Sequence, residues 1–289
     1  MQRINIPIIG LPNVGKSTLL NSMIGEKVSI VTPKPHTTRT ISSKVKKLAN
    51  SEEVVFVDTP GIDKFNNKLG TVIFNNMQSY LKSLNAMMLV VDCTNPRIER
   101  FLPYLEKSII VLNKIDYMRK PKLLPIIEQL QSFNPKAIFC VCAKTGDGVK
   151  DILEYLKKES FFEEVEQDFV YEENKEDEIL NYACEVVREK ILLEFEQEVP
   201  YNIFIKVKDF SIPQNSAWKI FLDILVPRES YKPILIGKKC EKLKNIGKVS
   251  RIEISLKLKQ SGYLGLKVVV DEDLWKKEET YNSLGWSIK

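Results

Sequence analysis

The stretch Gly10-Leu11-Pro12-Asn13-Val14-Gly15-Lys16-Ser17-Thr18 constrains the fold of this chain more than any other feature. It matches the pattern G-x-x-x-x-G-K-[ST] in full, follows a short apolar segment and precedes an apolar run at helical spacing. In this context the glycines allow backbone N–H groups to surround phosphate oxygens, and the helix start adds its positive dipole end. The sequence therefore predicts a strand, a phosphate-binding loop and a helix over residues 4–24.

The residues of this loop have separate predicted roles. Lys16 is expected to reach the β- and γ-phosphates of a nucleotide, and the Ser17 hydroxyl is expected to bind Mg²⁺. Pro7, in the strand before the loop, lacks an N–H donor and is typical of an edge strand. The predicted nucleotide contacts of the loop are Gly10, Asn13, Val14, Gly15, Lys16, Ser17 and Thr18.

A second motif, Asp58-Thr59-Pro60-Gly61, follows the apolar run at residues 54–57. A carboxylate at the end of a strand can hold Mg²⁺ through water, and the Gly61 N–H is placed to sense a γ-phosphate. The next position is Ile62, where many GTPases carry a glutamine that orients water. An apolar side chain cannot orient water, so slow intrinsic turnover is expected. A K⁺ ion bound by Asn13 is one hypothesis for what supplies the missing charge.

Two further motifs indicate guanine as the base. Asn113-Lys114-Ile115-Asp116 follows an apolar run, and the Asp116 carboxylate can accept hydrogen bonds from guanine N1 and N2, which adenine does not supply. Residues 138–141 lead into Cys142-Ala143-Lys144, where the Ala143 N–H is expected to meet guanine O6. Because each motif follows a predicted strand, we predict an α/β P-loop GTPase domain with a doubly wound, mostly parallel sheet. GTP or GDP with Mg²⁺ would bind at the carboxyl edge of that sheet.

A switch segment is predicted at residues 34–40, Lys-Pro-His-Thr-Thr-Arg-Thr. A threonine hydroxyl here would complete the Mg²⁺ shell when the γ-phosphate is present and release it after hydrolysis. Thr38 is favoured for this role, and Thr37 is kept as the alternative. The predicted metal ligands are thus Ser17, Thr38 and Asp58, and the predicted catalytic residues are Lys16, Thr38 and Gly61.

Charge is distributed unevenly along the chain. Residues 159–198 contain 15 acidic and 3 basic side chains, whereas residues 228–267 contain 11 basic and 3 acidic ones. This pattern favours an acidic connector followed by a basic surface that binds nucleic acid. With five cysteines, no CxxC pair and one histidine, a zinc site is not expected. No apolar run reaches the roughly 18 residues of a membrane span, and no signal peptide is recognised, so a cytosolic protein is expected.

The second half of the chain predicts the order α-β-β-α-α-β. It contains the loop Gly237-Lys238-Lys239-Cys240 before a long helical run. By itself, Ile234-Leu235-Ile236 resembles the end of an apolar strand, and the alternation of Ile254, Leu256 and Leu258 is also more typical of a strand than of a helix. The overall order is nevertheless that of an α+β type II KH domain, whose glycine-led loop clamps the nucleic-acid backbone.

The whole arrangement resembles the Era family of bacterial GTPases. The resemblance implies a G domain at residues 1–160, an acidic linker at 161–177 and a type II KH domain at 178–289. It also implies a monomer that binds the 3′ end of small-subunit rRNA under GTP control, assists maturation of the small ribosomal subunit and makes peripheral contact with the inner membrane. Besides the nucleotide motifs, it rests on Thr37-Thr38-Arg39, Val226-Pro227-Arg228-Glu229-Ser230, Ile234-Leu235-Ile236-Gly237, Leu243-Lys244-Asn245-Ile246-Gly247 and Ser283-Leu284-Gly285-Trp286.

Two positions depart from the family pattern. Cys240 stands where the KH loop usually ends in glycine, and a Cβ at a left-handed position costs about 1–2 kcal/mol and hinders close approach to phosphate. Cys142 replaces the usual serine of the guanine loop, a change that conserves size. The predicted RNA-binding residues are Arg228, Ile236, Gly237, Lys238, Lys239, Lys242 and Lys244.

Two alternatives stay open at this point. One alternative to the rRNA-binding switch is an RNA-binding scaffold with an inert G domain, which Ile62 would allow. The other is a GTPase that acts on a protein or membrane partner. In the second case the KH domain no longer binds RNA, and the cysteine at position 240 motivates that reading.

Overall fold

A computed structural model describes residues 3–32, 34, 42–48, 53–62, 68–83, 86–157, 175–213, 216–282 and 284. It divides the chain into two compact units, Met1–Glu172 and Glu173–Lys289. The predicted switch residues Thr37 and Thr38, and nearly all of the predicted linker, lie outside the described residues. The domain boundaries at residues 160 and 178 therefore stay a prediction.

The first unit is built on a six-stranded sheet in the order β2-β3-β1-β4-β5-β6. Strand β2 pairs antiparallel with β3, and every other pair is parallel. This confirms the predicted doubly wound, mostly parallel sheet. The strands are β1 Arg3–Ile9, β2 Ser42–Lys47, β3 Glu53–Asp58, β4 Met87–Asp92, β5 Ser108–Asn113 and β6 Ala137–Val141.

Helices connect these strands. They are α1 Lys16–Ile24, α2 Lys68–Ser83, α3 Lys120–Gln131 and α4 Val149–Leu156, with 3₁₀ segments at Glu99–Lys107 and Ile115–Tyr117. Apolar residues of β1, β3, β4 and β5 are fully buried and pack with α1 and α4 in one core. Because both faces of the central strands are covered, these strands read as continuous apolar runs in the sequence.

Pro7 does not lie on an edge strand, where a proline is typical. Strand β1 is central, between β3 and β4. Its pairing with β3 extends from Arg3 to Ile8, but its pairing with β4 is confined to Ile8 and Ile9. Pro7 therefore lies where β1 has a paired neighbour on one side only, which explains why the missing donor is tolerated.

The second unit has the order predicted for a type II KH domain. Strand β7 pairs antiparallel with β8, and β8 pairs parallel with β9, in the order β7-β8-β9. The elements are α5 Lys175–Glu194, a 3₁₀ segment Val199–Tyr201, β7 Phe204–Ser211, β8 Trp218–Val226, α6 Tyr231–Ile236, a 3₁₀ segment Lys238–Cys240, α7 Glu241–Leu258, β9 Gly262–Val270 and α8 Glu278–Asn282. No helix of the described residues is long and apolar enough to cross a membrane.

Two local strand readings in this unit were wrong. Ile234, Leu235 and Ile236 end helix α6 instead of a strand, and residues 254–258 belong to helix α7. In α7 the buried positions Ile246, Ser250 and Ile254 recur every four residues. This helical period places one face of α7 against the core, and it therefore determined the fold of the segment. The short alternation at residues 254–258 did not determine it.

Candidate functional site

The phosphate-binding loop takes a conformation that only glycine allows at two positions. Gly10 has φ 151° and Gly15 has φ 101°. A Cβ on Gly10 would lie 2.4 Å from the Val90 carbonyl oxygen, and one on Gly15 would lie 2.3 Å from Asn113 Nδ2. The two glycines therefore let the loop pack closely on β4 and β5, as a loop that presents N–H groups to phosphate requires.

Lys16 lies at the start of α1 with only 6% of its surface exposed. Its Nζ donates a hydrogen bond to the Leu11 carbonyl oxygen at 2.9 Å and lies 3.4 Å from that of Gly10. Burial lowers the pKa of Lys16 to about 8, and the nearby Asp58 carboxylate opposes this effect. The ammonium group is thus held inside the loop in a poorly solvated position, where an anionic phosphate would stabilise it.

This environment predicts a pH dependence of nucleotide binding. Bound phosphate favours the charged lysine and raises its pKa, so binding should take up a proton at and above pH 8. Affinity for GDP should consequently fall as the pH rises through about 8. Titration calorimetry at pH 8.5 in two buffers of different ionisation enthalpy measures this uptake directly. Equal binding enthalpies in the two buffers would contradict the prediction, and Lys16→Met should show no uptake.

The residues predicted to hold Mg²⁺ are together as far as the structure describes them. Ser17 Oγ donates a hydrogen bond to Asp58 Oδ2 at 2.8 Å, and Asp58 is fully buried at the end of β3. A hydroxyl and a carboxylate are the hard oxygen donors that Mg²⁺ prefers. Within the described residues, no group of three or more His, Cys, Asp or Glu could hold a metal ion. The donor set therefore fits an ion that takes its other ligands from phosphate and water.

The segment after Asp58 packs against the phosphate-binding loop. A Cβ on Gly61 would lie 2.7 Å from the Pro12 nitrogen, so only glycine fits there. The Ile62 N–H donates to the Gly10 carbonyl oxygen at 3.0 Å, and the Ile62 side chain is buried. The side chain after Gly61 is thus part of the packed interior, consistent with its predicted inability to orient water.

Asn113 holds together the parts of the expected guanine pocket. Its Nδ2 donates to the Val14 carbonyl oxygen at 2.8 Å, and its Oδ1 accepts from the Ala143 N–H at 2.9 Å. The sequence analysis predicted that the Ala143 N–H donates a hydrogen bond to guanine O6. In the structure it donates to Asn113, so a bond to guanine would have to share this donor. Cys142, which directly precedes Ala143, is also buried, as a serine of similar size would be.

The other side of the pocket involves a residue that the sequence reasoning missed. Asp92, at the end of β4, accepts a hydrogen bond from Lys114 Nζ at 2.6 Å and two more from the Thr94 N–H and hydroxyl. Burial alone would raise the pKa of Asp92, but the hydrogen bonds from Lys114 and Thr94 outweigh burial and lower it. Lys114 has a left-handed backbone with φ 67°, and Asp116 follows it exposed in a 3₁₀ turn. An acidic residue ending the parallel strand next to β5 is the signal that could have revealed Asp92.

The glycine-led loop of the second unit has three residues with positive φ among its four positions. Gly237 has φ 73°, and Lys239 and Cys240 have φ 50° and 62°, both in the left-handed region. Cys240 thus has the conformation expected for the glycine that it replaces. It is exposed and immediately precedes α7.

The predicted RNA-binding residues differ in their surroundings. Lys238, Lys239, Lys244 and Arg228 are exposed, and Ile236 is half-buried at the end of α6. Lys242 is also exposed, but its Nζ lies 4.7 Å above the centre of the Phe195 ring and 3.8 Å from a Glu194 carboxylate oxygen. This lysine already contacts the end of α5, so an RNA phosphate would compete with Glu194 for it.

Replacing the strained cysteine tests the loop. Cys240→Gly should raise the stability of the C-terminal unit by about 1 kcal/mol or somewhat less, since it removes left-handed strain but adds freedom to the unfolded chain. It should also strengthen RNA binding several-fold by allowing closer approach to phosphate. Thermal unfolding and RNA titration measure the two effects. Lys259→Gly is the matched control, because Lys259 has φ 51° at the other end of α7 and should change stability only.

Comparisons with known proteins agree with this geometry. A family model described as 50S ribosome-binding GTPase matches residues 5–114. GTPase Era of Aquifex aeolicus is 34% identical over 298 residues, which cover 98% of this chain and 98% of that protein. GTPase Era of Mesorhizobium japonicum is 33% identical over 97% of this chain and 92% of its own. This chain belongs to the Era family.

Solved Era structures extend the match to the whole fold. An Aquifex aeolicus Era variant bound to GDP and AlF₄⁻ superposes with a TM-score of 0.84 at 31% identity, covering all of both chains. Era in complex with MgGDPNP and nucleotides 1506–1542 of 16S rRNA superposes with a TM-score of 0.83, also at 31% identity and over all of both chains. The predicted combination of a G domain and a type II KH domain is thus confirmed.

Proposed function

We propose that this protein is a GTP-hydrolysing switch that binds the 3′ end of small-subunit rRNA and assists maturation of the small ribosomal subunit. The observation that carries the proposal is that one chain contains both working parts of Era. A nucleotide site lies at the carboxyl edge of the parallel sheet, and a glycine-led, lysine-bearing loop joins two helices of a KH fold. A solved Era structure holds both a GTP analogue with magnesium and 16S rRNA.

The proposed nucleotide contacts follow the three parts of the site. The loop that carries Lys16 binds the phosphates, and Ser17 and Asp58 bind Mg²⁺ together with Thr38 from the switch segment. When bound, Mg²⁺ neutralises charge on the phosphates. The guanine base is held by Asp116, with Asn113 and Ala143 shaping the pocket. The full proposed set is Gly10, Asn13, Val14, Gly15, Lys16, Ser17, Thr18, Asp58, Gly61, Asn113, Lys114, Asp116, Cys142, Ala143 and Lys144.

Hydrolysis in this site depends on positioning. Water attacks the γ-phosphate while Lys16 and the loop N–H groups stabilise the phosphate charge. The buried Ile62 side chain cannot hold the attacking water, so we expect slow turnover without an additional cation. Under this proposal the backbone N–H of Gly61 senses the γ-phosphate and couples hydrolysis to the segment that packs on Pro12.

A monovalent cation is the proposed supplement. Asn13 is exposed in the phosphate-binding loop with φ 62°, and under this proposal its amide oxygen binds a K⁺ ion beside the phosphates. At fixed Mg²⁺, GTP turnover should be at least several-fold faster in K⁺ than in Na⁺, and Asn13→Ala should remove most of the difference. Phosphate release at matched ionic strength is the measurement, and equal rates in K⁺ and Na⁺ would rule the ion out.

GTP turnover by the full chain, with and without small ribosomal subunits, tests the proposed function. Hydrolysis that is measurable in K⁺ and responds to the subunits would support a switch. Turnover that stays undetectable under all these conditions would favour the RNA-binding scaffold. A cytoplasmic location with peripheral contact to the inner membrane stays a prediction from the family.

A further inference from the structure

Helix α7 carries an aliphatic row on its outer face. Val249, Ile252 and Leu256 are 42%, 49% and 73% exposed. Their spacing of three and four residues places them on one face of the helix over two turns, about 10 Å long. An exposed row of three large aliphatic side chains at helical spacing is unusual, because single exposed apolar residues are normal but aligned ones mark contact surfaces.

Two other faces of α7 already make contacts within the unit. Ile246, Ser250 and Ile254 are buried on the side that packs in the core of the unit. A third face contacts α5. There Lys190 Nζ lies 2.6 Å from Glu253 Oε2, and Lys257 Nζ lies above the Tyr182 ring. These contacts hold α7 in place, so the aliphatic row is presented on a rigid support.

A row of positive charge runs beside the aliphatic row. Lys244, Lys248 and Arg251 are exposed at spacings of four and three residues, and Lys248 and Arg251 each directly precede a residue of the aliphatic row. Within the described part of the chain these three cations make no ion pair. We call these two rows, an apolar stripe with a positive flank, the α7 surface.

We propose that the α7 surface binds an acidic amphipathic helix of a partner protein. Such a helix places apolar residues at i, i+3 or i+4, and i+7 into the aliphatic row and carboxylates opposite the three cations. The RNA contacts predicted for this unit lie at and near the loop from Gly237 to Cys240, whereas Ile252 and Leu256 lie about 18 and 24 Å further along α7. A second copy is disfavoured, because a symmetric contact would bring the same positive flanks together.

A pair of designed helical peptides tests the charge and the apolar requirement together. Both carry leucines at the spacing of the row, one with glutamates and the other with lysines beside them. We expect the acidic peptide to bind the full-length protein saturably, and the basic peptide to bind at least tenfold more weakly. Fluorescence anisotropy at low ionic strength is suitable, since surface charge pairs are screened by salt.

Variants locate the binding on the α7 surface. Ile252→Gln/Leu256→Gln should weaken the acidic peptide about tenfold and, because both positions are exposed, should keep the fold. Lys248→Glu/Arg251→Glu should reverse the preference in favour of the basic peptide. Leu193→Gln is the matched control, because Leu193 is 50% exposed on α5, and it should have no effect.

Several outcomes would overturn the proposal. They are equal binding of the two peptides, no saturable binding, or binding that survives the Ile252→Gln/Leu256→Gln change. Loss of rRNA binding or of binding to anionic vesicles by that variant would assign the row to RNA or to lipid instead. Lys244 is shared with the predicted RNA contacts, but the Ile252→Gln/Leu256→Gln variant separates the two proposals, since rRNA binding by the loop at Gly237 should be unchanged in it.

Discussion

Asp116→Asn should reduce the affinity for GDP by about 10³-fold or more and should create affinity for xanthosine diphosphate. The carboxylate is the proposed acceptor of the guanine N1 and N2 hydrogens, and a site that pairs such donors strongly rejects an analogue that lacks them. An asparagine amide keeps one acceptor but presents N–H donors, which suit the carbonyl that xanthine has in place of the guanine amino group. Titration with both diphosphates measures the exchange of specificity.

The control for this change is Asp147→Asn. Asp147 is also exposed, and its backbone carbonyl accepts from the Cys142 N–H, which the side-chain change leaves intact. The Asp147→Asn variant should bind GDP and xanthosine diphosphate with the same affinities as the unchanged protein. Retained GDP binding by Asp116→Asn would mean that the base is recognised elsewhere, and the assignment of the Asn113–Asp116 motif would fail.

Lys16→Met should have opposite effects on binding and on stability. We expect GTP affinity to fall about 10²-fold or more and hydrolysis to become undetectable, since a charge aimed at the β- and γ-phosphates is lost. The stability of the nucleotide-free protein should not fall and should rise by about 1 kcal/mol. The reason is that burial disfavours the charged lysine, as its pKa of about 8 shows, whereas a methionine of similar length is well suited to a buried position.

Thermal unfolding without nucleotide and equilibrium titration with a GTP analogue give the two readouts. A protein that loses both stability and binding would show that Lys16 mainly supports the loop through its hydrogen bonds to Gly10 and Leu11. Lys150→Met provides a comparison, because Lys150 is an exposed lysine on α4 and should change neither property appreciably.

The nucleotide site was predictable because its requirements are local. Gly10 and Gly15 take backbone angles that other residues rarely adopt, so their identity and spacing carry the loop conformation. The pairing of Asp92 with Lys114 was not predictable in the same way. It joins residues 22 positions apart through the β4–β5 register, in which Asp92 lies opposite Asn113. A linear pattern does not contain that register.

The second unit shows a different limit. Three apolar residues such as Ile234–Ile236 fit a strand or a buried helix equally well. The structure resolves the ambiguity through Tyr231 and Leu235, which are buried four residues apart on one face of α6. Lys242 was predicted as a phosphate contact from charge and position alone, but its contact with the Phe195 ring depends on how α7 packs against the end of α5. Tertiary packing therefore decided both cases.

The most direct test of the account is binding of the full chain to the 3′-terminal segment of its own small-subunit rRNA. The protein would be loaded with a GTP analogue or with GDP, and a scrambled RNA would serve as the control across a range of salt. The account predicts at least tenfold selectivity for the native segment, and tighter binding in the GTP-analogue state. Weak binding that is equal for both RNAs and both nucleotides would contradict it, and would mean that the loop from Gly237 to Cys240 no longer serves RNA.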